Sequence, residues 1–359
     1  MSGATETEAG EGPAPNEPGA LRKVLPKLVL SLALGALFAW LVLRGGVPLL
    51  PPIEAFEHVR WWTVPAYVGT LAVTHTFRAT RWRFLIRPVK EIPLKDVVAL
   101  NWIGFFAIFV LPLRLGELAR PALTKMRCGI PISVGFGTVA VERVIDGLVT
   151  SLCVVWAFVA LPMLPTDDPI ARALPFYGTL AVAVFVGALV GLGLFLWQKR
   201  FATRLVAGTF GLVSKKLGAF VAEKVGSLAD GVRSIGEPKL ALGFLTETLL
   251  YWGSNAAGMW LLGWGCGLPM TFAHGVAIMG ILAIGILLPA GPGLFGNFQL
   301  AVSTALKIYF AGALVGAAGA VYVMLLYTVQ AVAIVLAGVI PLYVMKIPFS
   351  SLLKVTPGP

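Results

Sequence analysis

The residues best suited to chemistry in this sequence are charged side chains that interrupt long apolar stretches. In the segment "LPLRLGELARPALTKMRCG" (111–129), Arg114, Glu117 and Arg120 recur every three residues, so a helix would place them near one face. A guanidinium group can bind a phosphate through two parallel hydrogen bonds. This spacing predicts a site for an anionic group, with the carboxylate holding the arginines in place.

A second charged cluster, "VERVID", supplies Glu142, Arg143 and Asp146. On a helix Glu142 and Asp146 share a face at i,i+4, and Arg143 reaches Asp146 at i,i+3. Each charge would cost about 2.5–3.5 kcal/mol at the centre of a transmembrane helix, which argues against unpaired placement facing lipid. Two interpretations stay open. The clusters pair with each other, for example Arg143 with Glu117, and fasten two helices together, or the surplus arginines bind an anionic headgroup.

The composition indicates the class of protein that carries these clusters. The chain has 359 residues, of which 58% are hydrophobic and 13% charged, and its mean hydropathy is +0.87. A soluble domain carries about 25% charged residues. Several stretches are as long and apolar as the ~20 residues that a transmembrane helix needs. We therefore predict an all-α polytopic membrane protein, since helices satisfy their own backbone hydrogen bonds in lipid.

The net charge of +11 does not indicate a nucleic-acid partner, because the basic residues flank apolar segments as cytoplasmic loops do. Membrane lipids with anionic headgroups are the partners that this pattern favours. The three cysteines form no CxxC pair and the three histidines are scattered, so we predict no disulfide framework, metal site or other cofactor. No Walker A motif is present, so ATP is not expected as the direct energy source.

The basic loops also orient the predicted spans. We predict six full spans, at roughly 24–43, 61–77, 139–161, 176–197, 240–263 and 313–344, with both termini in the cytoplasm. Two further apolar stretches, 97–113 and 274–310, are broken by Pro and Gly. A full crossing by the first would put basic residues outside, and one by the second would break the parity of the spans. We expect two re-entrant helical hairpins, the first entering from the cytoplasm and the second from outside.

The two hairpins carry related turns, "PLRLGEL" at 112–118 and "PGLFGNF" at 292–298. We therefore predict inverted repeats, at about 21–162 and 173–345, an arrangement that places binding sites near the midplane at broken helices. The remaining predicted segments are an acidic tail (1–20), a basic amphipathic connector (199–239) and a second cytoplasmic tail (346–359), with the transmembrane domain at 21–345.

Three isolated polar residues are weaker candidates. Glu247 lies several residues inside a predicted span, where it could couple transport to a proton or cation or pair with a neighbour. Asn297 and Gln299 lie in the second hairpin, where they could donate hydrogen bonds to a headgroup or satisfy the backbone of a broken helix.

The segment "RLGELARPALTKMRCGIPISVGFGTVAVERVIDGL" resembles the first signature of the lysylphosphatidylglycerol synthase transmembrane-region family, also called flippase-like domain proteins. That signature is an Arg-x-Gly-Glu-x-x-Arg element followed by Glu-Arg-x-x-Asp, which 114–120 and 142–146 match. The segment "PAGPGLFGNFQLA" is similar to the family's second motif, although this chain has Gln299 where relatives usually carry a glutamate. The resemblance implies movement of lipids between leaflets by a stand-alone membrane domain, without the aminoacyl-transferase domain of the bifunctional synthases.

The sequence thus predicts a lipid flippase of the cytoplasmic (inner) membrane that moves a phospholipid or a lipid-linked molecule and has no catalytic residues. The arginines of the two clusters would hold the headgroup phosphate, and the acids would orient those arginines. A lipid-modifying enzyme is a candidate partner. Two alternatives remain: a membrane-embedded transferase that acts on lipid phosphates, and an accessory protein that recruits partners through the 199–239 connector.

Overall fold

The computed structural model describes residues 18–111, 116–165, 169–197, 237–288, 291–349 and 352, which form helices and turns with no strand among them. The prediction of an all-helical chain is confirmed. Arg114, most of the 199–239 connector and most of both predicted tails lie outside the described residues.

Eleven helices are distinguished among the described residues. They are α1 (Pro18–Arg44), α2 (Thr63–Thr80), α3 (Trp82–Ile86), α4 (Leu94–Val110), α5 (Ala119–Cys128), α6 (Ile132–Ala160), α7 (Pro169–Trp197), α8 (Pro238–Gly265), α9 (Phe272–Gly285), α10 (Asn297–Tyr309) and α11 (Gly312–Val344), the last containing a π-helical turn at Val315–Gly319.

Each predicted span coincides with a helix, but the helices differ in how clearly they could cross a membrane. By length and hydropathy, α6 and α11 are the two described helices that could do so. Shorter apolar helical stretches lie at Leu28–Arg44, Pro175–Gly191 and Phe272–Gly285. The count of six spans therefore stays a prediction.

The first predicted hairpin consists of α4 and α5, which pack against each other. The chain becomes extended at Leu111, which ends α4. Gly116 then lies so close to the α4 backbone that a Cβ atom would overlap Ala107 and Ile108. Glycine at 116 therefore allows the close return of the chain. At the other end of α5, Gly129 adopts the left-handed conformation (φ 69°) that ends many helices.

The second predicted hairpin consists of α9 and α10, with an irregular segment between them that side chains stabilise. The Asn297 amide donates hydrogen bonds to the carbonyl oxygens of Gly285 (3.0 Å) and Leu288 (3.3 Å). Gln299 Oε1 accepts a hydrogen bond from the Gly296 N–H at 2.7 Å. These amides pair backbone groups at the break between the helices, where the Gly285 oxygen also accepts a hydrogen bond from the Leu288 N–H at 3.2 Å.

The long helices and the hairpins pack in a reciprocal pattern. Hairpin helix α4 packs against α11, and α9 packs against α6. Between them α2 and α8 lie side by side, and they approach closely because Gly258 and Gly265 of α8 face Thr70 and Thr63 of α2. The result is a helical bundle in which each hairpin contacts a long helix from the opposite half of the chain.

Candidate functional site

A cavity of about 650 Å³ lies among α2, α4, α6, α8, α9 and α11. Asp146, the central residue of the 29-residue α6, lines it together with Trp252 and Tyr327, which lie at the middle of α8 and α11. At 1.5 Å per residue, Asp146 is about 21 Å from either end of α6. The cavity therefore lies at mid-height in the helical bundle.

The walls of the cavity are largely apolar and one side reaches the surface. Leu287 lines the cavity and is 46% exposed, which places it at the rim. The other apolar lining includes aromatic, methionine and aliphatic side chains, for example Phe105, Met259 and Leu282. A ligand of mixed character, with a polar group inside and an apolar part at the rim, would match this lining.

Arg81 neutralises the carboxylate at the centre of the cavity wall. Its two terminal nitrogens donate to Asp146 Oδ1 at 2.6 Å and Oδ2 at 2.7 Å. Arg81 also donates to Thr248 Oγ1 at 3.2 Å, and the Trp252 indole donates to Asp146 Oδ1 at 3.1 Å. Arg81 is only 1% exposed and is absent from the cavity lining. Arg81 thus binds Asp146 from the side that faces away from the cavity.

Two other arginines face the cavity. Arg143 and Arg78 both line it, and neither forms an ion pair with a carboxylate among the described residues. The Nε atoms of both side chains are buried and have no hydrogen-bond partner. The Arg78 guanidinium lies 3.7 Å from the centre of the Phe105 ring, where a cation–π interaction stabilises its charge. The cavity wall therefore carries these two guanidinium groups together with the carboxylates of Asp146 and Glu117.

The predicted site residues separate into two groups. Glu117, Arg143 and Asp146 line the cavity. Arg120 and Glu142 instead pair with each other and are only 6% and 1% exposed. Neither of them lines the large cavity.

The Arg120–Glu142 pair connects the first hairpin to α6. Arg120 donates to Glu142 Oε1 at 3.2 Å and to Asn101 Oδ1 at 2.6 Å, and its second terminal nitrogen pairs with Glu142 Oε2. Gly104 makes room for Arg120, because a Cβ at this position would lie 3.1 Å from the Arg120 Cβ. The ion pair therefore joins α4, α5 and α6, which is the bracing role that the sequence left open for these clusters.

The three weaker candidates lie away from the cavity lining. Glu247 accepts hydrogen bonds from Arg83 at 2.7 Å and from Thr80 at 2.5 Å, so it links α8 to α3 and to the end of α2. Asn297 and Gln299 bind the backbone of the second hairpin, as described above. For all three, the contacts match the local-pairing interpretation.

Sequence reasoning missed Arg78 and Arg81. Both belong to a dense basic segment at 78–95 whose charges the positive-inside rule already explains, so their charge did not distinguish them from their neighbours. Their spacing could have done so, because Arg78 and Arg81 are three residues apart at the end of an apolar stretch. Within the described part of the chain, no group of three or more His, Cys, Asp or Glu side chains is placed to hold a metal ion.

Comparison with known proteins agrees with the resemblance drawn from the two charged motifs. The family described as "Lysylphosphatidylglycerol synthase TM region" matches residues 28–338. Searches of curated proteins and of solved structures gave no match. The matched region covers most of the chain and includes the cavity, the Arg120–Glu142 pair and both helix pairs α4–α5 and α9–α10. This chain belongs to the lysylphosphatidylglycerol synthase transmembrane-region family.

Proposed function

We propose that this membrane protein moves a phospholipid or lipid-linked molecule between leaflets and binds an anionic headgroup in the central cavity. The observation that carries the proposal is the presence of Arg78 and Arg143, without described carboxylate partners, on the wall of a largely apolar cavity at mid-height. A transporter needs a site for the polar headgroup near the bilayer midplane, where lipid itself offers none.

The cavity chemistry favours phosphate over a neutral ligand. Guanidinium groups form bidentate, charge-assisted hydrogen bonds with phosphate oxygens. A surplus positive charge away from water is costly unless an anion compensates it. Binding of a phosphate between Arg78 and Arg143 would supply that anion, and the apolar rim near Leu287 would let the acyl chains stay in the bilayer.

This arrangement changes the roles that the sequence suggested. Arg143 remains a proposed phosphate ligand, and Arg78 takes the place given to Arg120. Arg120 and Glu142 brace the hairpin, while Glu117 lies at the cavity beside the phosphate ligands. Arg114 is retained as a proposed ligand on its motif alone, since it lies outside the described residues.

The packing pattern supports a mechanism in which two inverted repeats rock about the cavity. The helix order α1, α2, α4, α5, α6 recurs as α7, α8, α9, α10, α11, with short hairpin helices in corresponding places. The contacts α4–α11 and α9–α6 are reciprocal under this correspondence. In such transporters the site stays near the midplane while the repeats expose it to each leaflet in turn. We further propose six spans, two re-entrant hairpins, both termini in the cytoplasm and a location in the cytoplasmic (inner) membrane.

Leaflet exchange in liposomes tests the function. The full chain is reconstituted in phosphatidylcholine liposomes with trace amounts of fluorescent phosphatidylglycerol, phosphatidylcholine or a polyprenyl phosphate, and a membrane-impermeant quencher reports outer-leaflet probe. Arg143→Gln and Arg78→Gln are compared with Arg87→Gln. Arg87 is a matched control because it is 62% exposed and pairs only with the exposed Glu91 among the described carboxylates.

We expect protein-dependent exchange of an anionic probe that both cavity variants reduce by at least about tenfold, while Arg87→Gln leaves it unchanged. Exchange no faster than in protein-free liposomes would contradict transport. Exchange that both cavity variants retain in full would contradict the assigned headgroup site.

A further inference from the structure

We infer that Arg81 is a positioning residue that keeps the headgroup site positively charged. It does so by forming an ion pair with Asp146 from the side that faces away from the cavity. The inference deepens the proposed function and rests on it. Arg81 would not touch the lipid, because it is 1% exposed and does not line the cavity. It would act on the lipid through Asp146 and Arg143.

The spacing within α6 creates a competition for Arg143. Asp146 follows Arg143 by three residues, and side chains at i,i+3 on a helix can meet. A direct ion pair with Asp146 would engage the Arg143 guanidinium and leave it less able to bind a headgroup phosphate. In the structure this pair is absent among the described contacts, and Arg143 faces the cavity with a buried, unpartnered Nε.

The contacts of Asp146 explain why the competing pair does not form. Both carboxylate oxygens are taken by the two terminal nitrogens of Arg81, at 2.6 and 2.7 Å. Trp252 donates a further hydrogen bond to Oδ1, and Thr248 fixes the Arg81 guanidinium. A bidentate, buried pair of this geometry leaves the carboxylate little capacity for another guanidinium.

Removing Arg81 would therefore change the charge that a ligand meets. The Asp146 carboxylate would lose its nearest cation, and the remaining arginines close to it are Arg143 and Arg78, whose charges already interact with it. The cavity wall would then carry one net positive charge fewer. Removing the Asp146 charge as well would restore the wild-type balance, since the two deleted charges are opposite.

Equilibrium binding to purified full-length protein in detergent tests this inference without requiring transport. The probes are dioctanoyl phosphatidylglycerol, which is anionic, and dioctanoyl phosphatidylcholine, which is zwitterionic. The variants are Arg81→Gln, Asp146→Asn and the double variant R81Q/D146N. Arg83→Gln with Glu247→Gln, singly and together, is the matched control, because this neighbouring ion pair does not line the cavity.

We expect R81Q to weaken binding of the anionic probe by about 10- to 100-fold, the effect of one unit charge roughly 6–12 Å away at an effective dielectric of about 20. Asp146→Asn should bind it more tightly than wild type. The double variant should return to within about threefold of wild type, and the control set should show no such rescue. Binding of the zwitterionic probe should change little throughout.

Rescue of R81Q by Asp146→Asn for the anionic probe, with binding of the zwitterionic probe unchanged in every variant, supports the inference. Loss and recovery of a structural brace would instead change binding of both probes alike. A double variant that binds as weakly as R81Q, or an R81Q variant that binds like wild type, overturns it. If R81Q does not fold, Asp146→Asn decides: tighter binding of the anionic probe than in wild type supports the inference, and equal or weaker binding overturns it. Wild-type protein that shows no preference for the anionic probe would instead contradict the proposed function. Loss of binding in Arg143→Gln but not in R81Q would contradict this inference alone.

Discussion

The ion pair between Arg120 and Glu142 gives the sharpest prediction about the stability of this fold. Glu142→Gln removes one charge with almost no change in side-chain volume. Arg120 would be left only 6% exposed, with Asn101 and a neutral amide as its described partners. Breaking a buried ion pair by removing one partner costs about 3–5 kcal/mol. We expect a loss near 3 kcal/mol, because the new amide oxygen can still accept a hydrogen bond.

The companion variants separate the charge from the packing. Replacing both partners by methionine (R120M/E142M) removes the pair without leaving a buried charge, and such replacements are often neutral or stabilising. We therefore expect the double variant to recover most of the stability lost in Glu142→Gln. Arg87→Gln breaks the exposed Arg87–Glu91 pair at i,i+4 and should cost less than about 1 kcal/mol.

Equilibrium unfolding by sodium dodecyl sulfate in mixed micelles provides the free energy of unfolding, with the fluorescence of the ten tryptophans as the signal. If Glu142→Gln costs no more than Arg87→Gln, the pair is not buried as described and the hairpin is not held by it. Lipid binding adds a second check. A folded R120M/E142M protein should still bind the anionic probe, because neither residue lines the large cavity.

Three further substitutions test other parts of the structure by the same unfolding assay, with lipid exchange in liposomes as a second measurement for the last. Gly116→Ala should destabilise the first hairpin by more than 1 kcal/mol, because the new methyl group overlaps the α4 backbone and overpacking of this kind is costly. A neutral result would contradict the close approach of Gly116 to α4. Asn297→Asp should cost about 1–3 kcal/mol, because a carboxylate cannot donate to the two carbonyl oxygens that Asn297 now satisfies, and an unchanged stability would show that they are solvated. Glu247→Gln should lower the free energy of unfolding through the loss of its ion pair with Arg83. It should leave the pH dependence of lipid exchange unchanged, and loss of that pH dependence would support a coupling role for Glu247 instead.

Much of the helical organisation could be read from the sequence, because apolar length, Pro and Gly positions and basic loops are local signals. The helices α1, α2, α6, α7, α8 and α11 coincide with the six predicted spans, and the chain breaks near the predicted turns at 112 and 292. These features depend on residues close together in the sequence. The depth and orientation of the hairpins depend on the membrane, so they remain predictions.

The partners of the charged residues could not be read in the same way. Arg81 and Asp146 are 65 residues apart, and no periodicity connects them. Glu117, Arg143 and Asp146 of the two charged motifs line one cavity. The spacing could not show that Arg120 turns toward Glu142, because Glu142 and Asp146 share one face of α6 and either could meet an arginine of the first hairpin.

Asn297 and Gln299 illustrate a related limit. An amide in a broken membrane helix can bind a ligand or replace a missing backbone partner, and both roles use the same donors and acceptors. Only the contacts distinguish them, and here both amides bind backbone groups of their own hairpin. Glu247 is a similar case, because a carboxylate within a predicted span can couple transport to a cation or pair with a neighbour; Arg83 and Thr80 lie beside it.

Photocrosslinking with an anionic phospholipid that carries a photoreactive group on its headgroup tests the central claim most directly. The full chain is reconstituted with the probe, irradiated, digested and analysed by mass spectrometry. We predict crosslinks to the cavity-facing segments of α6 around Arg143 and of α8 around Trp252, reduced at least about tenfold in Arg143→Gln and unchanged in Arg87→Gln. Crosslinks confined to the outer faces of α1 and α7, or cavity crosslinks that persist in Arg143→Gln, would contradict a headgroup site in this cavity.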